Sequence, residues 1–148
     1  MFQNFSFEGY NVIHIDWIFP LENENLQNYA LRISKNIKDE NAILIGLSFG
    51  GILSVEISKI KKIKKVFLLS SAKTKFEIPF YYRFLGKLNL LRIIPSSILK
   101  RVISLTYFVF GVKTNAEKSL LKDIVRNTDE RFLKWALHQI MNWKNENY

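Results

Sequence analysis

Two short runs, Ala42 to Leu47 and Lys65 to Ser70, are apolar on nearly every residue instead of on alternate ones. A strand of that kind is one covered on both faces by helices, as in a parallel sheet. Between the runs, Ile52, Leu53, Val55, Ile57 and Ile60 give a mostly apolar helix, which supplies the crossover that parallel pairing needs. Ahead of them, Leu26, Tyr29, Ala30, Ile33 and Ile37 fall on one helical stripe, with Asn23 or Asn25 placed to cap it. Earlier still, Asn11 to Asp16 is a β-branched run after Gly9, and it reads as a third strand. Strand, helix, strand, helix, strand predicts an α/β fold: a partial parallel sheet of about three strands with crossover helices.

After Ser70 the periodicity is helical. Pro79 and Pro95 punctuate it, Ser96 or Ser97 caps a helix running toward Phe110, and Thr114-Asn115-Ala116-Glu117 fits a capping box. Leu120, Leu121, Ile124 and Val125 give the next helix its apolar face, and Phe132, Trp135, Ala136, Ile140 and Trp143 stripe the last. The expected division is a partial core over residues 1–72 and a helical cap or lid over 73–148, packed on the sheet as an attached layer.

With 148 residues and no cysteine, the chain is long enough for a buried core without disulfides, and thiolate metal sites and cysteine nucleophiles are excluded. The formal charge of +9 is unevenly spread. Residues 1–56 carry three basic and seven acidic side chains, net −4, and residues 57–148 carry 19 and six, net +13. Runs such as Lys59, Lys61, Lys62, Lys64 and Lys65 read as a solvated face, so no nucleic-acid partner is expected. Val102 to Val112 is too short to span a bilayer, and the start of the chain lacks a leader pattern, so the expected location is cytoplasmic.

The one chemically loaded stretch is Gly46-Leu47-Ser48-Phe49-Gly50-Gly51. It has the form G-x-S-x-G between an apolar strand and a helix that begins with small residues. That is the setting in which a sharp turn lifts a serine hydroxyl to the top of a sheet. Side chains two before and two after the serine would collide as strand and helix close on each other, which accounts for Gly46 and Gly50. The competing reading makes Ser48 an ordinary helix cap. Neither G-x-G-x-x-G nor G-K-[ST] can be read through these residues, so a phosphate loop is the weaker alternative.

On these residues the chain resembles the α/β-hydrolase family. The resemblance covers the strands at Asn11 to Asp16, Ala42 to Leu47 and Lys65 to Ser70, the elbow and its helix, and it implies an inserted cap after Ser71. It further implies a serine hydrolase, most simply of carboxylic esters, with Ser48 as nucleophile and the backbone N–H of Phe49 as one oxyanion donor. No cofactor is implied. The family's order is serine, then acid, then histidine.

Here the pattern breaks off. His138 lies in the middle of the last helix and His14 in the first predicted strand, so neither fits the base, and no acid follows a later strand. Nor does a glycine-rich loop precede Gly9 to give the second oxyanion donor. The expectation is a fragment of a hydrolase core, impaired in catalysis as it stands. Phe80, Tyr81, Tyr82, Phe84, Leu85 and Leu88, with Tyr107, Phe108 and Phe110, would suit a small hydrophobic ester or acyl substrate, or form lid core. Arg83, Lys87, Arg92, Lys100 and Arg101 interleave with them. The alternative from a different class is a non-catalytic basic module docking an anionic surface or a protein partner. An unprotected sheet edge also invites a homo-oligomer.

Overall fold

The first helix, α1 (Leu26–Ser34), starts where Asn25 accepts a hydrogen bond from the N–H of Asn28 at 2.8 Å, so Asn25 and not Asn23 is its cap. Its stripe of Leu26, Tyr29, Ala30 and Ile33 is buried, and Ile37 is buried just past its end. There the ammonium of Lys61 reaches the carbonyls of Ser34, which also accepts from the N–H of Ile37, and of Ile37. The computed structural model describes residues 7–87, 94–105 and 114–147.

Strand β1 (Ile43–Leu47) leads into α2 (Phe49–Ile60), which returns the chain to β2 (Lys65–Leu69). The strands pair in parallel, from Ile43 opposite Lys65 to Leu47 opposite Leu69. Among the described residues the sheet has these two strands only. Its inner face, including Leu44 and Leu68, packs on the core built by α1 and α2. The outer face is open: Ile45, Phe67 and Leu69 are 36%, 45% and 39% exposed. The expectation that both strands are covered on both faces therefore holds for one face.

The predicted third strand is absent. Asn11–Asp16 takes no strand conformation, and Tyr10, Val12, Ile13 and Ile15 are exposed. A strand is held by a neighbour's ladder, and β-branched composition does not supply one. The segment gains its hold one residue later. Trp17 stacks against Phe49 and Phe132, with ring centroids 5.6 and 5.1 Å apart, and both backbone groups of Ile18 bond the Tyr29 hydroxyl, at 3.2 and 2.9 Å.

Beyond β2 the described residues form a 3-10 turn (Lys75–Glu77) and four helices: α3 (Phe80–Lys87), α4 (Ser96–Leu105), α5 (Asn115–Asn127) and α6 (Glu130–Met141). α6 is capped by Asp129, whose carboxylate accepts from the N–H groups of Arg131 and Phe132. Its residues do not form a separate layer over the sheet. Phe132 and Ala136, with Trp143 just past its end, join the core of α1 and α2. Indole N–H groups fix that union: Trp135 donates to the carbonyl of Glu24 at 2.8 Å, and Trp143 to the buried carboxylate of Glu56 at 2.7 Å. α3 presses on α6 closely enough that a Cβ at Gly86 would stand 2.5 Å from that of Met141. A smaller cluster forms around Leu99 and Met141, and Lys100 ties α4 to the end of α5 through the carbonyls of Arg126 and Thr128. On α5, Val125 is buried and Ile124 exposed. Among the described residues no helix is long and apolar enough to cross a membrane.

Candidate functional site

Ser48 sits at the junction of β1 and α2 with φ 51° and ψ −120°, a conformation that costs a non-glycine residue about 1–3 kcal/mol. Its neighbours hold it there. The N–H of Ser48 donates to the carbonyl of Leu69 at 2.9 Å, across the end of the sheet. Its carbonyl accepts from the N–H of Gly51 at 2.9 Å, from that of Ile52 at 3.4 Å and from the hydroxyl of Ser71 at 2.6 Å. Just past β2 comes a second left-handed residue, Ser70 at φ 45°, and this turn brings Ser71 to the elbow.

The side chain of Ser48 makes no capping hydrogen bond to α2, and none to any other described group. That removes the helix-cap reading and leaves a half-buried hydroxyl without a structural partner at the head of a sheet. The N–H groups of Phe49 and Gly50, the first two of α2, are likewise without partners among the described residues. They belong to the orphan donors of a helix start, where the partial charge is positive.

The glycines fall out differently from the pattern's expectation. A Cβ on Gly46 would stand 2.5 Å from the Cα of Gly51 and 2.6 Å from the carbonyl carbon of Gly50, so this position is closed to side chains by backbone. Gly50 is not closed: its Cβ would meet only the ring of Trp17, at 3.6 Å. The second crowded position is Gly51, where a Cβ would come within 2.5 Å of Ser71 Cβ. Strand and helix thus converge on 46 and 51, while 50 faces the indole. Gly51 stood in the sequence as part of the glycine pair; Ser71, 23 residues away, carried no local signal.

No histidine or carboxylate side chain hydrogen-bonds Ser48 among the described residues. His138 sits on α6 with Nδ1 3.3 Å from the side-chain amide of Asn142, one turn on, and His14 lies in the exposed N-terminal segment. Asp129 and Glu56 are occupied in capping α6 and receiving Trp143, and among the described residues no three His, Asp or Glu side chains gather as a metal site would require. Phe80, Tyr81 and Phe84, expected over the serine, are 80%, 47% and 61% exposed, while Tyr82 packs on the core. They sit on the solvent side of α3 because Gly86 and Tyr82 take the face turned to α6 and the core. Leu88, Arg92, Tyr107, Phe108 and Phe110 lie outside the described residues, as do the side chains of Leu85, Lys87, Leu120 and Leu121. A cavity of about 280 Å³ opens instead between the start of α1 and the end of α6, lined by Asn25, Gln27, Gln139, Asn142 and Lys144 among others; no elbow residue borders it.

No family model, no curated protein and no solved structure matches the chain.

Proposed function

We propose that this chain is the nucleophile-bearing part of an α/β-hydrolase-like serine hydrolase, acting on carboxylic esters, with Ser48 as the attacking group. One observation carries the reading: a serine in a left-handed, strained conformation at a strand-to-helix turn, its hydroxyl bonded to nothing else among the described residues. Strain of this kind persists where surroundings over-determine it, and it gathers at functional positions. The N–H of Phe49, the first of α2 and without a partner among the described residues, is one oxyanion donor in this reading. A serine hydroxyl is a weak nucleophile until a base takes its proton. With neither His14 nor His138 bonded to it, the chain as given is expected to acylate slowly and to turn over poorly. The ester class of substrate comes from the resemblance; its hydrophobic character comes from the aromatic stretch around Phe80 to Phe84, of which Phe80, Tyr81 and Phe84 are exposed, and is a proposal only.

The test is covalent. A fluorophosphonate ester reacts by forming a bond from serine Oγ to phosphorus, with fluoride leaving and the hydroxyl proton passing to solvent. Incubated with the full 148-residue chain, it is expected to add one phosphonyl group at Ser48, seen by intact mass and peptide mapping, and to add none to Ser48→Ala. Equal labelling of the two proteins, or labelling mapped to another serine, refutes the assignment.

A further inference from the structure

We infer that Ser71 is a positioning residue for the elbow: its hydroxyl sets the direction in which the N–H of Phe49 points. The inference rests on the proposed role of Ser48 and goes beyond it, since Ser71 lies outside the G-x-S-x-G stretch.

The carbonyl of Ser48 and the N–H of Phe49 belong to one planar peptide group and point to opposite sides of it. Whatever fixes the carbonyl therefore fixes the amide. Gly51 and Ile52 hold that carbonyl from the helix side, at 2.9 and 3.4 Å, the second of these long for a hydrogen bond. Ser71 holds it through its hydroxyl at 2.6 Å, the shortest of the three. Rotation of the 47–48 peptide, which would relax φ at Ser48, is opposed by the bond from its N–H to Leu69, and rotation of the 48–49 peptide, which would swing the N–H of Phe49 away, would break the bond to Ser71.

Two features place Ser71 there. Leu69 takes the N–H of Ser48 at 2.9 Å, so residues 69 and 71 grip both backbone groups of the strained serine, and left-handed Ser70 makes the turn between them. In addition, the space that a side chain at residue 51 would need is filled by the Ser71 side chain. Glycine at 51 and serine at 71 are thus one steric unit, closed over the elbow from the turn that follows β2. In an acyl-transfer site the N–H of Phe49 must face the oxygen on which charge develops, and a donor that is free to swing loses that advantage.

The experiment measures the second-order rate of fluorophosphonate labelling at Ser48, well below the unfolding midpoint of each variant, for the wild-type chain, Ser71→Ala, Ser71→Thr and Ser48→Ala. Ser71→Ala is expected to label about tenfold more slowly. Ser71→Thr, which keeps the hydroxyl, should stay within about threefold of wild type. The amide resonance of Phe49 should shift in the alanine variant and return in the threonine variant. Should Ser71→Ala fail to fold, Ser71→Cys, nearly the same size but a weak donor, takes its place with the same slowing expected. A purely structural role would lower the unfolding midpoint yet leave the labelling rate of folded protein and the Phe49 resonance unchanged, which overturns the inference while leaving Ser48 as nucleophile. Wild-type labelling no faster than Ser48→Ala overturns both.

Discussion

Alanine at Gly46 and alanine at Gly50 are the same chemical change four residues apart, and the elbow treats them oppositely. At Gly46 the added methyl would stand 2.5 and 2.6 Å from backbone carbons of Gly51 and Gly50, against an ordinary contact of 3.4 Å or more, so strand and helix must part by close to an ångström. Forced overpacking of this kind costs about 1–3 kcal/mol, and because backbone and not a side-chain tip must move, the upper end applies. At Gly50 the methyl meets Trp17 at 3.6 Å, an ordinary contact, and glycine-to-alanine within a helix gains about 0.5–1 kcal/mol. The two variants should therefore differ by about 3–4 kcal/mol, or about 6–16 °C in unfolding midpoint at 2–4 °C per kcal/mol for a chain of this size. Urea and thermal unfolding followed by far-UV circular dichroism will separate them. Gly46→Ala within about 0.5 kcal/mol of wild type, or Gly50→Ala the less stable of the pair, would refute the packing derived for this turn.

Trp143→Phe removes the indole N–H that the buried carboxylate of Glu56 accepts at 2.7 Å; Lys59 and Gln27 remain as partners, and a loss of about 1–3 kcal/mol in urea unfolding is expected. An effect below about 0.5 kcal/mol would mean that the bond joining the end of α6 to α2 contributes nothing net. The second expectation concerns alkaline pH. Burial raises the pKa of Tyr29 above its usual 10.0, outweighing the opposing hydrogen bond to Ile18 and the nearby Arg32; burial and Tyr81 raise that of Tyr82. A group that holds its proton more tightly when folded gives stability that is complete below pH 10 and is lost as pH rises through the folded value, with a slope of at most about 1.4 kcal/mol per pH unit for each tyrosine. Tyr29→Phe should lower the urea midpoint at pH 8, where Ile18 loses its partner, and should flatten its decline between pH 10 and 11.5; an unchanged decline would sink the assignment.

The pieces legible in the sequence were those fixed by local pattern. The stripe from Leu26 to Ile37, the crossover helix after Ser48 and the last helix fold where their periodicity puts them, because each buries one face against the same core. Misplaced were the pieces that depend on a neighbour. Asn11–Asp16 has strand composition but no ladder to join, and Phe80, Tyr81 and Phe84 are turned outward by the contact of Gly86 and Tyr82 with other elements. The serine itself was visible in the sequence, whereas Gly51 and Ser71, which close over it, meet only through the parallel register of β1 and β2.

The distribution of glycine around the elbow bears on why a serine is there at all. A turn built only to join β1 to α2 would carry glycine at residue 48, the one place in the stretch where φ is positive and a Cβ is costly. Glycine occurs instead at 46, 50 and 51, where φ is negative: at 46 and 51 the reason is crowding, and at 50 the structure gives none, since a methyl there would meet Trp17 at an ordinary 3.6 Å. The residue in the strained position thus keeps a side chain that caps nothing and bonds nothing among the described residues. Packing and helix termination give no account of that hydroxyl, since glycine would serve both at lower cost. The proposed role as nucleophile would give one, provided the peptide behind it stays fixed, and Ser71, two residues past the end of β2, is the side chain that bonds that peptide.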